Sequence, residues 1–185
     1  TFYLEANEDG FSTLAQVRVA LAEFKERHPE CGSLLMTLDN LEESDWENNW
    51  KQFYKPMEIG DRLIVIPEWE NADIGDRVPL ILNPGLTFGT GSHATTRLCL
   101  KALEQRVHGG ERVLDLGCGS GILSIAALKL GAAHAFACDI DDRCQDVAYE
   151  NAALNGIGKD VYTVRTGDIL TDSALQAEIG GGYDV

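Results

Sequence analysis

The run Val113-Leu114-Asp115-Leu116-Gly117-Cys118-Gly119-Ser120-Gly121 constrains this chain more than any other segment. Strand-forming residues lead into glycines at alternate positions, and an apolar helical pattern from Ile122 to Leu130 follows at once. A strand that turns through glycines into a helix opens a β-α-β unit. Glycines at 117, 119 and 121 let backbone approach a ligand where a side chain would clash. The helix that follows offers free amides and a positive dipole end. The pattern is not the pyrophosphate fingerprint G-x-G-x-x-G, because the third glycine falls at 121 and Ile122 takes the small-residue position. Asp115, just ahead of the glycines, would repel a pyrophosphate but can meet a cationic amino group.

The surrounding sequence repeats the same unit. Leu80-Ile81-Leu82, Arg112–Leu116, His134–Asp139 and Val161–Arg165 read as strands, and helices are expected with Thr95 and Thr96 in the first turn, from Ile122 to Leu130, and from Asp142 to Leu154. This alternation predicts an α/β domain with a parallel sheet, helices on both faces, and ligands at the carboxyl ends of the strands. Asp139 closes the strand after the glycine turn, where a carboxylate can accept both hydroxyls of a ribose; a helix N-cap shared with Asp141 and Asp142 is the other reading. Asp168, in Thr166-Gly167-Asp168, stands where an adenine amine needs an acceptor, or is simply a turn residue beside glycine. Phe88-Gly89-Thr90-Gly91-Ser92-His93-Ala94-Thr95-Thr96 sets hydroxyls at a helix start, suited to a carboxylate. An amine, a diol, an adenine and a carboxylate together describe S-adenosyl-L-methionine.

Toward the N-terminus the reading is less regular. Phe2-Tyr3-Leu4 and Ser33 to Leu38 look like strands around a helix opened by Ser12 or Thr13 and stopped by His28-Pro29. Ser44-Asp45-Trp46-Glu47 is a capping box, and its helix carries Trp46, Trp50, Phe53 and Tyr54 on one face, a stripe that suits packing more than a ligand platform. Arg62 to Pro67 is a short strand. Tyr183-Asp184-Val185 reads as a further strand beginning, so the α/β fold is expected to be incomplete.

Composition narrows the function classes. With 30 Asp plus Glu against 15 Lys plus Arg, the net charge is −15, which argues against direct nucleic-acid binding through a basic surface. No apolar run approaches the roughly 18 residues of a membrane span, and the opening residues Thr1 to Glu5 are not expected to act as a secretion signal. Five cysteines without a C-x-x-C pair predict reduced, mostly buried thiols and a cytoplasmic setting. The four histidines show no metal-ligand spacing, and no metal is expected.

The run Asn83 to Thr96 and the run Asp115 to Ala132 together resemble the signatures of the bacterial ribosomal protein L-eleven methyltransferases (PrmA type). Asp45-Trp46-Glu47, Trp50, Pro56, Arg62 to Pro67 and Trp69 are similar to that family's linker helix and following strand. The resemblance implies a Rossmann-like class I S-adenosylmethionine-dependent methyltransferase fold over residues 78–185, a linker over 41–77, and part of a small α+β ferredoxin-like substrate-recognition domain over 1–40. It implies that Thr96, Gly117 and Asp139 contact the cofactor, beside Asp115, Gly119 and Asp168 from the reading above. It also implies methyl transfer to lysine side-chain and N-terminal amines of a basic large-subunit ribosomal protein. The first strands of the recognition domain and an Asn-containing motif after Tyr183-Asp184-Val185 are expected in the family and are not in this sequence, so the chain itself is expected to turn over poorly. No residue is assigned as general base; His93 is only a loop histidine near the glycines. The rival expectations are a related enzyme acting on RNA or a small molecule, and a non-catalytic nucleotide-binding module.

Overall fold

A computed structural model describes Leu4, residues 7–37, Lys51, residues 54–84 and residues 91–185. The chain divides into two compact units, Thr1–Trp46 and Glu47–Val185.

In the first unit, helix α1 spans Glu8–Arg27. It starts about one turn before the expected Ser12 or Thr13, because Asn7 is the cap: its side-chain oxygen accepts the Gly10 amide at 2.8 Å. His28 ends it as expected, and Pro29–Cys31 forms a single 3-10 turn. The strand expected from Ser33 is not formed over residues 33–37. Gly32 and Leu34 both adopt positive φ (80° and 44°), and two left-handed residues so close together break an extended run. Leu38, Phe2, Tyr3, the capping box and the Trp46, Trp50 and Phe53 stripe lie outside the described residues.

The second unit opens with β1 (Met57–Ile59), β2 (Leu63–Pro67) and β3 (Val78–Leu82). β1 pairs antiparallel with β2, and β2 pairs in parallel with β3, so the strand expected in the linker shares a sheet with the first strand of the α/β alternation. The tight β1–β2 turn is held from outside. Glu104 accepts the amides of Asp61, Arg62 and Leu63 at 3.1, 2.8 and 2.9 Å, and Arg77 donates to the Gly60 and Leu63 carbonyls.

The alternation then proceeds through α2 (Ala94–Arg106), β4 (Arg112–Leu116), α3 (Ile122–Leu130), β5 (His134–Asp139), α4 (Arg143–Leu154), β6 (Tyr162–Thr166) and α5 (Ser173–Ile179). β4, β5 and β6 form a parallel sheet in that order. The pleat sends alternate side chains to opposite faces. Val113, Ala135, Ala137, Tyr162 and Val164 pack with Ile122, Ile125 and Ala126 of α3 and Ala148 and Ala152 of α4. Phe136 and Cys138 point the other way, onto Leu175 and Ile179 of α5. Helices therefore cover both faces, as the alternation predicts.

The last residues begin a pairing on the edge of β4 away from β5. Asp184 donates its amide to the Arg112 carbonyl at 2.8 Å, and the Leu114 amide donates to the Val185 carbonyl at 2.9 Å. β4 thus has β5 on one side and the returning chain on the other, which makes its carboxyl end a topological switch point. Among the described residues no helix is long and apolar enough to cross a membrane.

Candidate functional site

The three parallel strands end level with one another. Leu116 lies opposite Cys138, and Asp139 opposite Thr166. The glycine turn leaves β4 at this edge with Gly117, Gly119 and Gly121 at φ of 79°, 51° and 78°, conformations that glycine adopts without a Cβ penalty. Each glycine has its own reason. A Cβ at Gly121 would meet the Tyr162 hydroxyl at 2.7 Å and the Ala148 Cβ at 3.0 Å, so β6 and α4 close on the backbone there. A Cβ at Gly117 would meet nothing within 4 Å: that side of the turn is open. The amides of Gly117 and Cys118 both donate to the Cys138 carbonyl, and the Gly119 amide donates to the Asp139 carboxylate at 2.8 Å.

Asp139 therefore stands at the centre of the site. One carboxylate oxygen holds Gly119 and the other accepts the Asp141 amide at 3.0 Å. A carboxylate has about four acceptor positions, so it retains capacity for a diol. The helix cap considered as its alternative is a separate matter: Asp142 is the N-cap of α4 and makes no side-chain cap bond.

Asp115 has a different first task from the one expected. It is buried, and one oxygen accepts both the Ser124 amide (3.2 Å) and the Ser124 hydroxyl (2.7 Å). Its carboxyl thus sits at the first turn of α3, where the positive end of the dipole favours its charged form. Burial raises its carboxyl above the ordinary range, with the Ser124 bonds opposing that rise and the charge of Asp139 adding to it. Asp168 also turns inward on its own loop, accepting the Leu170 amide and the Thr171 hydroxyl, both at 2.9 Å. That is a side-chain-stabilised turn.

At the other side of the site, Thr96 is buried in the first turn of α2. His93 is the cap of that helix: its Nδ1 accepts the Thr95 amide at 3.3 Å and lies 2.7 Å from the Thr95 hydroxyl. Gly91 is buried, and a Cβ there would come within 3.3 Å of both Ile122 and Val65. Thr87 to Thr90 lie outside the described residues. Three large apolar side chains, Leu116, Ile140 and Leu170, are 54%, 74% and 84% exposed, each next to one of the acids or to the glycine turn. Among the thiols, Cys118, Cys138 and Cys144 are buried, and Cys31 and Cys99 are exposed. Burial pushes the Cys118 thiol well up and the Cys144 thiol to about 11, which makes them packing groups and not nucleophiles.

Three supporting residues escaped the sequence reading: Ser124, Tyr162 and Asn151. All are fully or nearly fully buried, and each contacts the glycine turn or the acid ahead of it. The only sequence signal was polarity at helix or strand positions that periodicity assigns to the core.

The sequence model of the family described as ribosomal protein L11 methyltransferase (PrmA) matches residues 4–179. The chain belongs to that family. It is 40% identical over 181 residues to the ribosomal protein L11 methyltransferase of Streptococcus mutans, covering 97% of this chain and 56% of the relative. It is 44% identical over 160 residues to that of Thermoanaerobacter sp. (strain X514), covering 86% and 51%. The chain thus spans about half the length of the curated relatives it matches. The crystal structure of a ribosomal protein L11 methylase from Lactobacillus delbrueckii subsp. bulgaricus superposes with a TM-score of 0.58 at 39% identity, covering 65% of this chain and 61% of that one. Its fold and the parallel order of β4, β5 and β6 make the second unit a partial Rossmann-like methyltransferase fold.

Proposed function

We propose that this chain carries the cofactor site of an S-adenosyl-L-methionine-dependent methyltransferase that acts on large-subunit ribosomal protein L11. The bond from Gly119 to Asp139 carries the reading: it fixes a glycine turn against an acid at the switch point of the sheet, with open space at Gly117.

The residues fit the cofactor's parts. Asp139 has acceptor capacity for the ribose hydroxyls, and Leu116, Ile140 and Leu170 offer apolar surface to the adenine. Gly117 and Gly119 allow backbone to approach the sulfonium end, and Thr96 with the α2 N-terminus suits the carboxylate. Asp115 acts mainly by holding α3 and the turn, and it adds negative potential under the methionyl amine. Asp168 holds the loop that borders the adenine. The bound cofactor supplies an electrophilic methyl group on sulfur.

The acceptor is an amine of lysine or of an N-terminus. A free lysine has a pKa of roughly 10.4, so the site must take the amine in its neutral form and align its lone pair with the methyl group. Positioning supplies most of such a rate enhancement. We assign residues 1–40 to substrate recognition, residues 41–77 to a linker and residues 78–185 to the cofactor domain. The −15 charge complements a basic protein and disfavours RNA as acceptor. Five cysteines without a close pair support a cytoplasmic setting.

Methyl-labelled S-adenosylmethionine, offered with purified ribosomal protein L11 and ribosomal RNA side by side to the chain extended to the length of its curated relatives, tests this reading. Label is expected in L11 and acid-stable on its amines. Label confined to RNA overturns the substrate assignment, and absence of cofactor binding by calorimetry overturns the reading as a whole.

A further inference from the structure

Asn151 sits on α4 with no exposed surface, and both ends of its amide are engaged far from its own helix. Its oxygen accepts the Asn83 amide at 2.8 Å, at the point where the chain leaves β3. Its nitrogen donates to the Ser120 carbonyl at 3.0 Å, between the second and third glycines of the turn. One side chain therefore joins the two backbone segments that the cofactor reading places on either side of the ligand. The chain returns to the same place at Gly91, where a Cβ would lie within 3.3 Å of Ile122, the first residue of α3.

One helical turn further on, Asn155 provides a natural comparison. It accepts the Ile81 amide at 2.9 Å and donates to the Ile81 carbonyl at 2.7 Å. Its amide also donates to the Asn151 carbonyl along the helix. Asn155 thus docks α4 on β3, and among the described residues its side chain hydrogen-bonds to neither the glycine turn nor Asn83.

We infer that Asn151 is a positioning residue of the cofactor site, a buried tie that holds Asn83, at the end of β3, and the glycine turn in one mutual arrangement. The inference rests on the proposed cofactor reading and adds a residue that itself touches no ligand. An amide is suited to the task because one flat group presents an acceptor and a donor about 2 Å apart, in opposite senses, without a charge to bury. Breaking the tie leaves the Ser120 carbonyl and the Asn83 amide to find other partners, and the two segments then have to be ordered by the ligand itself, at a cost to affinity.

The test compares wild type, Asn151→Ala and Asn155→Ala by calorimetry with S-adenosylhomocysteine, each variant also being unfolded in urea. Both substitutions are expected to reduce stability. Only Asn151→Ala should weaken the probe, by about tenfold, the scale of one buried hydrogen bond lost from the bound state. Asn155→Ala should stay within about twofold of wild type, because its bonds lie outside the ordered segments. Equal losses of affinity in both variants, or unchanged affinity in Asn151→Ala, overturn the inference. A wild type that does not bind the probe overturns the cofactor reading and this inference with it, an outcome distinct from wild-type binding that ignores Asn151.

If Asn151→Ala does not fold, amide exchange in the wild type decides. The probe should slow exchange of the Asn83 amide about tenfold while leaving the Ile81 amide unchanged, since only the former is tied to the glycine turn. An Asn83 amide that does not respond to the probe overturns the inference.

Discussion

The amide of Gly119 donates to the carboxylate of Asp139 across 2.8 Å, joining the loop after β4 to the end of β5. The same carboxylate is the proposed partner of the ribose. A single acid thus shapes the turn before any ligand arrives and then binds the ligand, which lowers the ordering cost of binding.

Asp139→Ala is expected to lose both roles and to weaken S-adenosylhomocysteine by at least about tenfold in calorimetry. Asp139→Asn keeps an acceptor for Gly119 and loses the charge, so its affinity should fall between those of wild type and the Ala variant. An Asn variant as weak as Ala would locate the whole effect in the charge.

Gly121→Ala should destabilise the chain by about 2–4 kcal/mol, from a left-handed φ and an overpacked contact together. The contact is with the Tyr162 hydroxyl at 2.7 Å, which is buried and has no hydrogen-bond partner among the described residues. Tyr162→Phe alone should therefore cost little, and in the Gly121→Ala background it should recover about 1 kcal/mol. Urea midpoints of the four species measure the coupling, and strict additivity would contradict it.

Ser124→Ala removes the hydroxyl that stabilises the Asp115 carboxylate at 2.7 Å. The carboxyl of Asp115, already raised by burial, should rise further. A raised carboxyl contributes stability that is present below its unfolded pKa of roughly 3.9 and is lost as pH rises through the folded value. The variant should accordingly lose about 1–3 kcal/mol at neutral pH and less in acid. Carboxyl carbon shifts and urea titrations at two pH values check both signs.

Asp141 makes a two-point ion pair with Arg143, at 3.1 and 2.8 Å, which lowers its carboxyl to about 2. A lowered carboxyl contributes stability above its unfolded pKa that disappears as pH falls through the folded value. Arg143→Ala should return Asp141 toward roughly 3.9. Because the pair is exposed, stability at neutral pH should change little, and raised salt should shrink the shift in the wild type.

Most of the second unit was legible in the sequence because its signals are local. Strand ends at Leu116 and Asp139, the helix from Ile122 to Leu130, and the glycine turn each follow from residues within a few positions of one another. The misreadings occur where local signals compete. Asn7 outranked Ser12 and Thr13 as the cap of α1, and left-handed φ at Gly32 and Leu34 removed an extended run whose composition favoured a strand. The short β1 strand escaped notice because three residues carry too little pattern to separate from a loop.

By itself the sequence determined the alternation of strand and helix, the three glycines that let the chain turn at the switch point, and the acid one strand away. Periodicity and backbone freedom are properties of neighbouring residues, so they survive in a linear reading. Only the tertiary structure decided what the polar side chains do. The fold pairs Asp115 with Ser124, and Asp168 bonds within its own turn. Asn151 bonds to residues 68 and 31 positions away, distances at which no local pattern carries information. The physical reason is that burial obliges each polar group to find a partner, and packing alone determines which partners come within reach.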